Sequence, residues 1–196
     1  MTDVATLIHS CAPSGRTLDR AAMAALAEEI GEQPELWRSL VRHDPNERHF
    51  VQLYRDPSVD VWLICWDSAQ DTGYHDHDQS SGAVYVCAGL LCEDSLFRDA
   101  DGWIREHTRE HQAGTCFDFP PAHIHGVRHP GGPPATSIHV YSPALWRMGH
   151  YQYDVDGIMG RVSMTYADEL AEAAAVASVR SPAADADERW PPGRSN

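Results

Sequence analysis

Lysine is absent from this sequence of 196 residues, so all fifteen basic residues are arginine. Acidic residues number 29, and the formal net charge is −14 at pH 7. Nucleic acids and anionic membranes bind surfaces that carry clustered positive charge. The composition therefore argues against both as partners.

Long apolar runs are also missing. No stretch approaches the roughly 18 apolar residues that a membrane-spanning helix needs. The amino terminus lacks the basic and then apolar segments of a secretory signal. We therefore expect a cytoplasmic protein without a membrane span.

Closely spaced cysteine pairs are missing as well. The five cysteines lie at irregular intervals with no Cys-x-x-Cys, which fits neither a disulfide framework nor a cysteine-based zinc site. Cys65 and Cys87 lie in apolar runs, where a reduced cysteine packs as a small hydrophobic residue.

The pattern of the chain divides it into four segments. Residues 1–48 are predicted to form a helical segment packed on a barrel of strands over 49–165, followed by a helix over 166–180 and a loose tail over 181–196. Helical spacing predicts a helix over 17–30, capped by Thr17 and stopped by Gly31, and a shorter one over 34–41. Short apolar or alternating runs between turn residues predict strands over 50–54, 59–66, 83–91, 102–107, 115–119 and 137–141. Together they predict an all-β barrel or jelly roll with N-terminal helices and a short C-terminal helix.

Two segments about 50 residues apart supply imidazoles suited to one metal ion. The first contains His75 and His77, which share one face of a strand roughly 7 Å apart, the spacing of a chelate. The second contains His123 and His125, either of which would complete the site. Other histidines, among them His111 and His150, are interpreted as surface or packing residues.

These segments resemble the two motifs of the cupin superfamily, whose fold is a small β-barrel. In the first motif His75-Asp76-His77 is in register with the glycines at 82 and 89, and Gly82 occupies the position of the usual glutamate ligand. The register of the second motif, which runs from Gly114, favours His125 over His123 as the third ligand. Three neutral imidazoles leave a divalent ion its full charge, which favours an anionic sulfur ligand.

Ser137, His139 and Tyr141 lie at alternate positions of one predicted strand and therefore face the same way, opposite Ile138 and Val140. The serine hydroxyl could hold the histidine, which could orient or deprotonate the tyrosine. For such a triple taken alone, a buried structural network is the competing interpretation.

The triple follows His125 by twelve residues, and in this setting the chain resembles the cysteine dioxygenase family of iron-dependent thiol dioxygenases. The resemblance implies Fe(II) held by His75, His77 and His125, and conversion of a small-molecule thiol and O2 to a sulfinic acid. It implies that Tyr141 acts as an acid or hydrogen-bond donor tuned by His139 and Ser137. Gly82 also stands where some family members carry a cysteine cross-linked to this tyrosine, so we expect no cross-link.

The substrate-binding residues are predicted from the segment that precedes the first histidine motif. Family members that use cysteine or 3-mercaptopropionate hold its carboxylate with an arginine, as bidentate geometry favours. One alignment puts this position near Phe50, with Gln52 as the polar inward neighbour. Another makes Arg55 the clamp, although a surface ion pair with Asp56 is an equal alternative. Without a clamp, a bulkier thiol-imidazole such as ergothioneine is favoured.

Two other classes of function stay open at this point. One is a metal-dependent cupin enzyme of another chemistry, such as an isomerase or a carbon-bond dioxygenase, which gives no reason for the serine, histidine and tyrosine triple. The other is a non-catalytic cupin that binds a small ligand.

Overall fold

Eleven strands in two antiparallel sheets make up most of the regular secondary structure in a computed structural model that describes residues 3–11, 15–155 and 159–165. In chain order the strands are β1 His49–Arg55, β2 Asp60–Trp66, β3 His75–Asp76, β4 Ser81–Ala88, β5 Leu90–Arg98, β6 Ile104–Gln112, β7 Cys116–Phe119, β8 Ile124–Arg128, β9 Ala135–Ser142, β10 Arg147–Tyr153 and β11 Met159–Thr165. One sheet has the order β1-β2-β9-β4-β7 and the other β11-β10-β3-β8-β5-β6. The predicted all-β barrel is confirmed. The predicted C-terminal helix and tail lie outside the described residues.

Two helices precede the barrel, α1 over Val4–Cys11 and α2 over Arg20–Gly31. The prediction of Thr17 as the cap of the second is wrong: Asp19 caps α2, and its carboxylate accepts a 2.8 Å hydrogen bond from the Ala22 amide. The short helix predicted over 34–41 consists of two 3₁₀ turns, Pro34–Leu36 and Arg38–Leu40. Within the described residues, no helix is both long enough and apolar enough to cross a membrane.

Helix α2 covers the outer face of the first sheet. Its buried side chains, among them Met23, Leu26 and Ile30, pack in one apolar cluster with Ile138 and Val140 of β9. Each such side chain contributes roughly 1.5–3 kcal/mol when it is removed from water. This packing fixes which face of β9 points outward.

The inner face of the same sheet bounds a cavity. Because side chains alternate along a strand, Ser137, His139 and Tyr141 lie on the side of β9 opposite to Ile138 and Val140. His139 and Tyr141 line the cavity, and all three side chains of the triple are buried. The strand alternation predicted from the sequence is therefore present in the structure.

Gly89 divides the run that the sequence analysis treated as one strand over 83–91. Its φ of +78° lies in the left-handed region, and a Cβ there would come within 2.7 Å of Ala135. The chain therefore leaves the first sheet at the end of β4 and enters the second as β5, which brings Glu93 beside β8.

Candidate metal centre and cavity

Three buried histidines converge where β3 pairs with β8. His75 is the register partner of His125, and His77 follows β3 directly. The ring of His75 lies 4.8 Å from that of His77 and 4.9 Å from that of His125, measured between centroids. Their ligand atoms all lie within 4.8 Å of one another, and each residue is at most 4% exposed. The structure thus brings together the three histidines proposed as ligands.

Hydrogen bonds at the outer nitrogens orient two of these rings. His75 Nδ1 lies 3.0 Å from the Gly73 carbonyl, and His125 Nδ1 lies 2.8 Å from Glu93 Oε1. Both partners are acceptors, so each Nδ1 carries the proton and each Nε2 is left with a lone pair. This is the tautomer that a metal ligand requires.

His77 differs, because neither of its ring nitrogens has a hydrogen-bond partner among the described residues. Buried polar atoms are rarely left without one. Burial, followed by the charges of the neighbouring imidazoles, lowers the pKa of His77 and of His75 well below the ordinary value. The cluster is therefore a set of neutral nitrogen donors, which fits a divalent transition metal.

An aromatic ring occupies the space of the usual cupin glutamate. Gly82 pairs with Phe119 on one side and with Tyr141 on the other. A Cβ at position 82 would lie 2.4 Å from the Phe119 ring, which itself stacks on His77 at 4.7 Å. A side chain at 82 would therefore collide with Phe119, and the group of His75, His77 and His125 carries no carboxylate.

A hydrogen-bonded chain runs along β9 and begins at Trp66. The indole Nε1 of Trp66 donates to Ser137 Oγ at 2.9 Å, and Ser137 Oγ lies 2.8 Å from His139 Nε2. Ser137 Oγ accepts from the indole, and among the described contacts His139 Nε2 is the acceptor available to the serine's own buried proton, so we assign the serine as the donor to His139. His139 then donates from Nδ1 to the Tyr141 oxygen, 3.2 Å away. This direction leaves Tyr141 with its own proton as a donor.

Burial keeps His139 neutral. Together with the nearby charges of Arg48 and then His125, it lowers the pKa of His139 to about 3. The hydrogen-bonded chain along β9 requires a neutral imidazole, because His139 Nε2 must accept a hydrogen bond while Nδ1 donates one.

The cavity beside the histidines has mostly apolar walls. Its lining consists of Arg48, Phe50, Trp62, Ile64, Thr72, His75, Val84, Phe119, His125, Val127, His139, Tyr141, Leu145 and Met148. Among these, Arg48 is the one residue of the Asp, Glu, Lys and Arg classes. Its guanidinium lies over the Trp66 ring at 5.1 Å and donates to the Asp71 carbonyl. The cavity thus presents one positive charge in an apolar setting.

The structure separates the three residues predicted to bind substrate. Phe50 lines the cavity and packs against Trp62 with the ring centroids 5.8 Å apart. Arg55 does not line it: this side chain pairs with the buried carboxylate of Asp60 and donates to the Leu145 carbonyl at 2.7 Å. Gln52 donates to the same carboxylate at 2.9 Å. Because Asp60 is fully buried, it needs these partners, which hold Arg55 and Gln52 outside the cavity lining.

Sequence reasoning missed Arg48 as a cavity residue. The available signal was its position two residues before Phe50, which places both side chains on one face of an extended segment. Arg48 was missed because the predicted barrel segment begins one residue later, at His49.

Sequence reasoning also missed Glu93, which lies at the centre of a second group of histidines. Its Oε1 is 3.1 Å from His123 Nε2 as well as 2.8 Å from His125 Nδ1, and its Oε2 is 3.5 Å from His111 Nε2. Burial would raise the pKa of Glu93, but contacts with the three imidazoles outweigh it and hold that pKa well below its usual value. His123, the alternative third ligand, therefore belongs to the Glu93 group, and His111 packs on Phe117 at 4.0 Å.

The other acidic residue beside the ligands, Asp76, is neutralised. Arg161 donates to both of its oxygens, at 2.6 and 2.7 Å, and Tyr151 donates at 2.7 Å. Burial would raise the pKa of Asp76, but these donors lower it to about 2. The hydrogen bonds of Asp76 to Tyr151 and Arg161 therefore connect β3 to β10 and β11.

A jelly-roll barrel with convergent histidines on its inner side defines a cupin with a site suited to a metal. Residues 4–154 match the family model described as cysteine dioxygenase type I, and the chain belongs to this family. Membership implies a dioxygenase that acts on a small molecule with O2.

Two solved structures with similar folds share little sequence with the chain. TT1209 from Thermus thermophilus is 19% identical with a TM-score of 0.47, over 54% of this chain and 92% of that one. A cupin superfamily protein from Desulfitobacterium hafniense is 11% identical with a TM-score of 0.43, over 54% and 86% of the two chains.

Proposed function

We propose that this protein is an Fe(II)-dependent thiol dioxygenase, which converts a small-molecule thiol RSH and O2 to the sulfinic acid RSO2H. Both oxygen atoms enter the product, so no other reductant is consumed. The observation that carries the proposal is that two members of the neutral histidine cluster, His75 and His125, line a single apolar cavity together with a tyrosine donor and one arginine.

His75, His77 and His125 are the proposed metal ligands. Fe(II) held by three imidazoles would supply open coordination positions and the electrons that allow O2 to react with sulfur. The absence of a carboxylate from the described ligand set supports a thiol substrate, because the more cationic ion favours an anionic sulfur donor.

Tyr141 is the proposed hydrogen-bond donor in the cavity. His139 and Ser137 position it, since the chain that starts at Trp66 leaves the phenolic proton on Tyr141. Its ring lies 5.1 Å from that of His77, close enough for the hydroxyl to serve a reacting group beside the ligands.

Arg48 is the proposed anchor of the substrate, and it replaces Arg55 in that role. A guanidinium in an apolar wall favours a substrate that carries a carboxylate. Cysteine and 3-mercaptopropionate meet this requirement, as does ergothioneine, for which the Phe50 and Trp62 rings offer a larger apolar surface. Among the candidate thiols, cysteamine carries no such group.

Oxygen consumption by the Fe(II)-loaded protein tests the proposal, measured with cysteine, 3-mercaptopropionate, ergothioneine and cysteamine. We expect one O2 consumed per thiol and a product heavier by two oxygen atoms in mass spectrometry. His77→Ala, which removes a ligand, is the control and should abolish turnover. If none of the four thiols gives a doubly oxygenated product, the protein is a cupin of another chemistry or a binding protein.

The role of Arg48 predicts a selective effect of Arg48→Met. Methionine keeps the apolar contact with Trp66 but removes the charge, so KM for thiols with a carboxylate should rise about 10–100-fold, as expected for a lost charged hydrogen bond. Turnover of cysteamine, if any, should change little. An equal loss for all thiols would instead assign Arg48 a structural role.

A further inference from the structure

We propose that Glu93 is a positioning residue that orients His125 and places one negative charge behind this proposed ligand, outside the coordination sphere of the metal. The inference deepens the proposed function, on whose metal centre it rests. Glu93 acts through the His125 ring and does not itself ligate the metal.

The position of Glu93 follows from sheet pairing. In the β5–β8 register Glu93 lies opposite Val127, and Ser95 lies opposite His125. The Glu93 side chain is buried, at 7% exposure, and its Oε1 reaches His125 Nδ1 at 2.8 Å. A carboxylate behind a ligating imidazole fixes the ring, selects the tautomer and makes the other nitrogen a stronger donor.

Charge pairing distinguishes Glu93 from Asp76, the other buried acid beside the ligands. Arg161 offsets the charge of Asp76 directly. Within the described ranges, the ion-pair partners of Glu93 are all histidines: His111, His123 and His125. Its negative charge is therefore directed at imidazoles, one of which is a proposed ligand.

This arrangement accounts for the substitution of glycine at position 82. A carboxylate directly on the ion would occupy a coordination position and lower its charge. With Phe119 filling that space, the carboxylate of Glu93 acts from behind His125 and leaves the position open. The centre gains electron density without losing a place for substrate.

The Glu93→Gln variant removes the negative charge of the side chain and keeps nearly the same shape. The amide oxygen of glutamine can still accept from His125 Nδ1, so the ring and its tautomer are kept while the negative charge is removed. We expect Fe(II) and Co(II) to bind about 10–100-fold more weakly than in the wild type, the usual effect of losing an outer-shell partner. The midpoint potential of the iron should rise, because the lost charge stabilises Fe(III) more than Fe(II).

Asp94→Asn is the matched control on the same strand. Asp94 is the next residue, is also largely buried, and is paired with Arg128 at 2.6 Å. This variant removes the same charge one position away, with its side chain on the opposite face of β5. Metal affinity and potential should stay close to those of the wild type.

The experiment measures Fe(II) and Co(II) affinity by competition with a chromophoric chelator, and the iron potential by redox titration, in all three proteins without thiol. Circular dichroism checks that each is folded, and Glu93→Asp offers a second variant that keeps the charge if the glutamine variant unfolds. The proposal is overturned if the glutamine and asparagine variants behave alike, if Glu93→Asp loses as much affinity as Glu93→Gln, or if the wild type binds neither ion. Selective weakening in Glu93→Gln supports it even if no thiol is oxidised, so the two proposals fail separately.

Discussion

At the scale of single residues, the direction of the hydrogen bonds along β9 decides what Tyr141 can do. Trp66 can only donate, and His139 Nε2 is the described acceptor for the buried proton of Ser137, so His139 donates in turn from Nδ1 to Tyr141. The phenolic proton that results is a donor held beside the histidines. A buried structural network and a functional chain thus require the same contacts, and only the cavity at one end favours function.

Tyr141→Phe should lower kcat by about 100-fold or more, because it removes a positioned donor. Bound iron should stay at the wild-type level, since the hydroxyl lies outside the proposed ligand set. Oxygen uptake and iron content measure the two effects. Tyr85→Phe, on the outer face of the same sheet, is the control and should leave both unchanged. Loss of iron in the Tyr141 variant would instead make the tyrosine a ligand or a structural residue.

At the scale of elements, the strands that sequence patterns predict best are those packed between a helix and the cavity. The strands β2 and β9 have apolar or alternating runs and were predicted close to their observed ranges, whereas the run predicted for β4 continued across Gly89 into β5. The two-residue β3 has no such pattern, because its pairing depends on β8 and β10 on either side. Strand β8, which carries His125, is short and contains a glycine, so its place was not found.

The residues of the site likewise divide into those that a local sequence pattern reveals and those that it does not. Histidine spacing and the triple on β9 could be found because strand period fixes which side chains share a face. Glu93 depends on where β5 pairs with β8, which local sequence does not specify. Glu93 in particular was hidden by the treatment of 83–91 as one strand ending before it.

The contact between β4 and β7 predicts that Gly82→Ala is destabilising. The new Cβ would overlap the Phe119 ring, and overpacking of this kind costs about 1–3 kcal/mol. Urea unfolding measures the change. Gly160→Ala is the control, because a Cβ there meets nothing closer than 3.9 Å. In a background with Phe119→Leu the penalty should shrink, and an unchanged penalty would mean that Phe119 is not the obstacle.

At the scale of the whole molecule, burying neutral histidines makes stability depend on pH. The folded-state pKa of His139, about 3, lies below the ordinary value of 6.5. As pH falls from 6.5 towards 3, the unfolded chain takes up a proton at this position and the folded chain does not. The stability that is present above pH 6.5 is therefore lost progressively through that window.

Between pH 7 and pH 5 the metal-free wild type should lose about 2 kcal/mol more of its free energy of unfolding than His139→Gln. Glutamine removes the titration and leaves the other buried histidines in place, so the difference isolates this group. Urea unfolding at pH 7, 6 and 5 gives the values. Parallel pH curves for the two proteins would show that His139 takes up its proton as readily in the folded chain as in the unfolded one.

One indole joins two parts of the site that are usually considered separately. Trp66 carries the Arg48 guanidinium on its face and holds Ser137 with its edge. The proposed substrate anchor and the proposed donor chain thus share one supporting side chain, and we expect a change of either contact to affect the other. If the proposed roles hold, a substitution that moves Arg48 to admit a differently charged substrate must leave Trp66 in place, because the same indole holds Ser137 in the donor chain of Tyr141.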